Sequence, residues 1–97
     1  MLVVIDPVSV LDEKHSRARV ERQLRLAFTR YLPALREVSL LSSQRPPGRL
    51  PPAYSVSIDV SLGDDDVVSV SESNQSLESA IHRAIGRVDR QLRQRLE

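Results

Sequence analysis

The stretch YSVSIDVSLGDDDVVSVSESN, residues 54–74, decides the fold. Tyr54, Val56, Ile58, Val60 and Leu62 alternate with Ser55, Ser57, Asp59 and Ser61. A period of two over nine residues predicts a strand with one apolar and one wet face. Gly63 with Asp64, Asp65 and Asp66 has the chemistry of a hairpin turn. Val68 and Val70 then resume the alternation, with Ser69 and Ser71 on the wet side. A hairpin with one apolar face needs a cover, and the flanking sequence supplies it.

Downstream, Ser73, Asn74 and Ser76 offer capping oxygens, and Glu78 suits the positive end of a helix that runs to the C-terminus. Its apolar stripe is Leu77, Ile81, Ala84, Ile85, Val88 and Leu92. Upstream, Ser42 to Ala53 holds four of the six prolines and Gly48, which predicts an extended loop rather than a central strand. Val38 to Leu41 reads as a strand before it. A first helix is expected from Asp12 as N-cap to Leu32, with Val20, Leu24, Ala27, Phe28 and Tyr31 as its apolar face and Pro33 ending it. Leu2 to Ile5 is a short β-branched run that reads as a buried first strand, cut off by Asp6 and Pro7.

The expected fold is therefore α+β, β-α-β-β-β-α: a two-layer sandwich in which both helices lie on one face of a four-stranded sheet. It forms a single domain over residues 1–97, too short a chain for two independent cores. Leu24, Phe28, Ile58, Val60, Ile81 and Val88 are the expected core. With no cysteine, disulfides and thiolate metal sites are excluded and the core must carry the stability, as in a reducing cytoplasm. The only N-terminal apolar run, Leu2 to Ile5, is too short for a signal peptide or a membrane span, so a cytoplasmic location and no membrane partner are expected.

The formal net charge is only +1, yet the 14 basic residues are Lys14 and 13 arginines, unevenly placed. On the last helix Arg83, Arg87 and Arg90 fall at i, i+4 and i+7 on the outward side, with Arg93 beside them. On the first helix Arg19, Arg22, Arg25 and Arg30 project outward or sideways. The carboxylates are expected largely elsewhere, at the Asp64–Asp66 turn and at Asp59 on the open sheet face. A clustered cationic helix surface has two readings: the solvated face of an amphipathic helix, or the footprint of a phosphate-backbone binder. Phe28, Tyr31 and Tyr54 are placed for packing rather than base stacking, so any RNA contact would read backbone and shape.

The element order, the stretch RVERQLRLAFTRYLPALREVSLL (residues 19–41) and above all VSVSESNQSLESAIHRAIGRVDRQLRQRL (residues 68–96) resemble the hibernation-promoting factor and ribosome-associated inhibitor family, also described as sigma-54 modulation protein-like. The likeness runs from about Arg19 to Leu96. It implies a layout like that of double-stranded-RNA-binding domains, with the basic helix surface seated in the mRNA and tRNA channel of the small ribosomal subunit. It implies rRNA phosphate contacts for Arg83, Arg87 and Arg90, with Arg22 and Arg25 opposite, and inhibition by steric block without chemistry. Because the sequence ends with the second helix, the expected match is to the short form, without the C-terminal dimerisation domain of longer members. A dimer of this chain stays open.

Catalytic signatures are missing: there is no GxSxG, P-loop, HExxH or GxGxxG. His15 and His82 fall on different helices and read as surface residues. Consecutive Asp64, Asp65 and Asp66 cannot all aim at one cation and lack EF-hand spacing. No cofactor, metal or small-molecule substrate is expected, and the chain reads as a non-enzyme. Two functional classes remain: a ribosome-binding inhibitor, and a protein-interaction module that uses its serine-rich sheet face or an edge strand. Steep salt dependence would mark the first.

Overall fold

The computed structural model describes residues 1–46 and 48–97; Pro47, in the proline-rich stretch, and the side chain of Asp64, in the acidic turn, lie outside the described part. The strands are β1 (Leu2–Ile5), β2 (Leu35–Gln44), β3 (Tyr54–Leu62) and β4 (Val67–Asn74), and the helices are α1 (Arg17–Phe28) and α2 (Leu77–Leu96). They follow one another as β-α-β-β-β-α, the order expected. The sheet order is β1-β2-β3-β4, with β1 parallel to β2 and the other pairs antiparallel.

The period-two pattern sets the register. Ile5, Leu40, Ile58 and Val70 form one row across all four strands, and Val3, Val38, Val60 and Val68 form a second. Both rows are buried. Onto this face α1 lowers Val20, Leu24 and Phe28, and α2 lowers Leu77, Ala80, Ile81, Ala84, Val88 and Leu92, all within a single core cluster. Each helix has one apolar stripe, and the sheet offers one apolar face to receive both. All six expected core residues have no solvent exposure. The opposite sheet face is polar, and its serines pair across strands: Ser55 with Ser73 at 3.0 Å and Ser57 with Ser71 at 2.7 Å between hydroxyl oxygens.

The bounds of α1 and β2 differ from the sequence reading. The first helix is capped by Ser16, whose Oγ accepts from the Arg19 amide at 3.3 Å, not by Asp12. Asp12 instead accepts from the His15 amide at 2.7 Å and closes a turn one step earlier. The regular helix stops at Phe28, and a 3₁₀ turn (Thr29–Tyr31) carries the chain to Leu32, whose extended backbone precedes a cis Leu32–Pro33 bond. On the sheet, β2 is ten residues long, because it starts at Leu35 rather than Val38 and because Ser42, Ser43 and Gln44 pair with Val56, Ser55 and Tyr54; the proline-rich loop begins only after Gln44.

Ser42 can sit on the buried face because its polar atoms are satisfied. Its Oγ donates to Val10 O at 2.6 Å and its amide to Ser9 Oγ at 3.1 Å. Ser73, expected among the caps, lies in β4, and Ser76 alone caps α2, accepting from the Ser79 amide at 3.2 Å. In the β3–β4 turn it is Asp65, at φ 62, that takes the left-handed conformation, which a short polar side chain tolerates.

Gly86 sits exposed in the interior of α2, and a Cβ built there meets nothing within 4 Å. Gly86→Ala should therefore stabilise the fold by about 0.5–1 kcal/mol, through the entropy glycine loses in a helix. Urea titration of both proteins checks this, as a raised midpoint at an unchanged slope.

Candidate nucleic-acid interface

All arginines except Arg36, Arg45 and Arg49 lie on α1, α2 or the 3₁₀ turn that ends α1. The two helices touch each other on one side of the sheet, so the exposed cations do share the outer layer. Their local pairings divide the eight arginines singled out in the sequence into two sets. Arg25 binds Glu21 at 3.1 Å, Arg30 binds Glu97 at 3.5 Å, Arg87 binds Glu72 at 3.2 Å and Arg93 binds Asp89 at 3.0 Å. Arg30 also lies over the Tyr31 ring, 4.9 Å from its centre. Arg19, Arg22, Arg83 and Arg90 are exposed, and their side chains make no hydrogen bond or ion pair among the described residues.

The expectation that carboxylates lie largely elsewhere is corrected by these pairs. Glu21–Arg25 and Asp89–Arg93 are four residues apart on one helix face, the spacing at which opposite charges meet. Such exposed pairs are worth about 0–1 kcal/mol each, but they lower the positive field of the surface. Of the eight, four guanidiniums are unpaired among the described residues.

Contacts fix how α2 is turned. Tyr31 Oη donates to Asp89 Oδ1 at 2.6 Å, which puts Asp89 on the flank toward the end of α1. Arg87, two residues earlier and so about 200° away around the helix, reaches the outer strand β4 instead. Arg83 and Arg90, one turn to either side of Arg87, follow it. Arg83, Arg87 and Arg90 thus occupy the top and the β4 flank of the layer, whereas Arg93, paired with Asp89, stays on the side toward α1. On α1, Arg25 is drawn the other way, its Nη1 donating to Met1 O at 3.1 Å beside β1.

Burial and the Asp89 carboxylate hold the Tyr31 hydroxyl above the usual phenol range. A raised acid pKa means the neutral form is preferred in the fold. The contribution is fully present below about pH 10, the value for a free tyrosine, and is lost as pH climbs through the higher folded value. At the far end of α2, Arg95 pairs with Asp66 of the hairpin turn and holds that carboxyl below its usual range.

Two features escaped the sequence reading. Leu26, 74% exposed, stands four residues from both Arg22 and Arg30, so the cationic stripe of α1 has an apolar centre. Periodicity carries that signal, since Leu26 is out of phase with Val20, Leu24 and Phe28. Arg17 donates to Ile5 O at 2.7 Å and to Pro7 O at 3.2 Å, partners twelve and ten residues away that no local pattern announces. Among the described residues no group of three or more His, Cys, Asp or Glu could hold a metal ion, and no helix is long and apolar enough to cross a membrane.

No protein-family model matches the sequence, and no curated protein matches it. Solved structures do match. The N-terminal domain of Thermus thermophilus Protein Y superposes with a TM-score of 0.60 at 22% identity, covering 95% of this chain and 92% of that one. A ribosomal subunit interface protein from Coxiella burnetii superposes with a TM-score of 0.60 at 13% identity, covering 96% and 92%. The chain has the fold of these two proteins. The likeness expected from residues 19–96 is met at that level, along nearly the whole length of both.

Proposed function

We propose that the protein binds the small ribosomal subunit through the outer surface of α1 and α2 and holds the ribosome inactive by occupying the path of mRNA and tRNA. The observation that carries this reading is the set of four unpaired, exposed arginines, Arg19, Arg22, Arg83 and Arg90, on a fold shared with a ribosomal subunit interface protein. Guanidinium groups make forked bonds to phosphate oxygens and need no base identity to do so. Arg25, Arg30, Arg87 and Arg93 take part by exchanging a carboxylate for a phosphate. Leu26 adds an apolar contact at the centre of the α1 stripe.

No catalytic step is required. A folded domain wedged into a channel excludes tRNA and message by volume alone, so inhibition should be stoichiometric with ribosomes and reversed by salt. The purified protein, added to a cell-free translation reaction built on bacterial ribosomes, should suppress synthesis near one equivalent per ribosome. Output unchanged at several equivalents would contradict the inhibitory part of the proposal.

A further inference from the structure

Both outer strands of the sheet are partly closed by arginines reaching over from the helix above. Just after β1 the amide of Asp6 bonds β2 through Leu40 O, so Leu2, Val4 and Asp6 turn their backbones toward β2, Met1, Val3 and Ile5 turn theirs outward, and Pro7 follows in the turn beyond the strand. Arg25 takes the outward carbonyl of Met1, and Arg17 takes those of Ile5 and Pro7.

On the other side, the Leu62 amide bonds Asp66 O across the hairpin, which sets the alternation along β4. Val68, Val70, Glu72 and Asn74 face β3, and Val67, Ser69, Ser71 and Ser73 face out. One of those outward carbonyls is engaged: Arg87 Nη1 donates to Ser71 O at 2.9 Å while holding Glu72 at 3.2 Å.

The two edges differ in how well they are defended. β1 has four residues and is clasped at Ile5 and just beyond each end, at Met1 and Pro7, whereas β4 has eight, VVSVSESN, with Glu72 as its only charge and Arg87 as its only clasp among the described residues. A long, bulge-free, weakly charged edge is a template for strand addition. The outward set is also self-complementary: in antiparallel pairing about a two-fold axis, Val67 would meet Ser73 and Ser69 would meet Ser71 of a second copy, and each outward amide and carbonyl would find a partner.

We infer that β4 is a latent self-pairing edge, held shut by Arg87, and that a second copy of β4 docks on it when Arg87 is drawn away from Ser71 O and Glu72. The clasp acts by placing a desolvation-averse charge across the ladder that an incoming strand would have to build.

The test is the mass in solution by light scattering, over a concentration series, of the full chain and three variants whose folding is verified by circular dichroism. The parent should stay monomeric. Arg87→Gln should shift to a concentration-dependent species of twice the mass, and Glu72→Gln, which leaves Arg87 held by the carbonyl alone, should shift the same way to a smaller extent. Adding Ser69→Pro to Arg87→Gln should restore the monomer, because proline removes an outward amide while sparing the bonds to β3. The inference is overturned if folded Arg87→Gln stays monomeric wherever the parent does, or if Ser69→Pro leaves its association intact.

Discussion

Phe28→Ala should cost the protein about 3–5 kcal/mol, the range for emptying a large buried aromatic site. Phe28 ends α1 with no solvent exposure, inside the same core cluster as Leu35 and Tyr31, where the chain turns from the helix layer back to the sheet. A domain of this size has about 5–15 kcal/mol in total, so the variant should lose a large share of its stability. Chemical denaturation read by far-ultraviolet dichroism measures the effect. A midpoint within the error of the parent would mean that the register of α1 is wrong and that the basic face argued from it is misplaced.

Replacing Arg19, Arg22, Arg83 and Arg90 together with glutamine should have the largest effect on binding. Each arginine that neutralises a phosphate displaces about one counterion, so the salt-dependence slope should flatten by up to about 3.6. Between 50 and 200 mM salt such a contribution amounts to roughly a hundredfold in affinity. Stability should barely move, because the four side chains are exposed and unpartnered and glutamine is nearly as good a helix former as arginine. Binding isotherms at several salt concentrations give the slope directly. Ser55→Ala with Ser57→Ala, on the opposite sheet face, is the matched control and should leave slope and affinity as in the parent. A reversal of the two results would transfer the binding surface to the serine face.

Much of this architecture is legible in the sequence because a single physical signal dominates each element. Alternation in residues 54–62 and the stripes of Val20, Leu24 and Phe28 and of Ile81, Ala84 and Val88 fix strand, helices and inward faces by burial alone, and neighbouring residues cannot outvote them. Boundaries are less legible because several residues there make equivalent offers: Asp12 and Ser16 are both good caps, and the choice falls to Ser16 because His15 already occupies Asp12. The extension of β2 through Ser42 depends on Ser9 and Val10, more than thirty residues away.

The arginines illustrate the same limit at the candidate site. Periodicity assigns Arg87 and Arg90 equally to the outside of α2, yet one is bound to the edge of β4 and the other is unpartnered, a difference set by the reach of Glu72 and Ser71 across the fold. Arg25 beside Glu21 was readable as an i, i+4 pair; its second bond, to Met1 O, was not.

The central claim is most directly tested by pelleting purified small ribosomal subunits through a sucrose cushion at low salt, with the parent and the four-arginine variant in parallel. The account predicts that the parent travels with the subunits at close to one copy each and that the variant, equally folded, stays in the supernatant. A parent that remains in the supernatant, or a variant that pellets as fully as the parent, would contradict it.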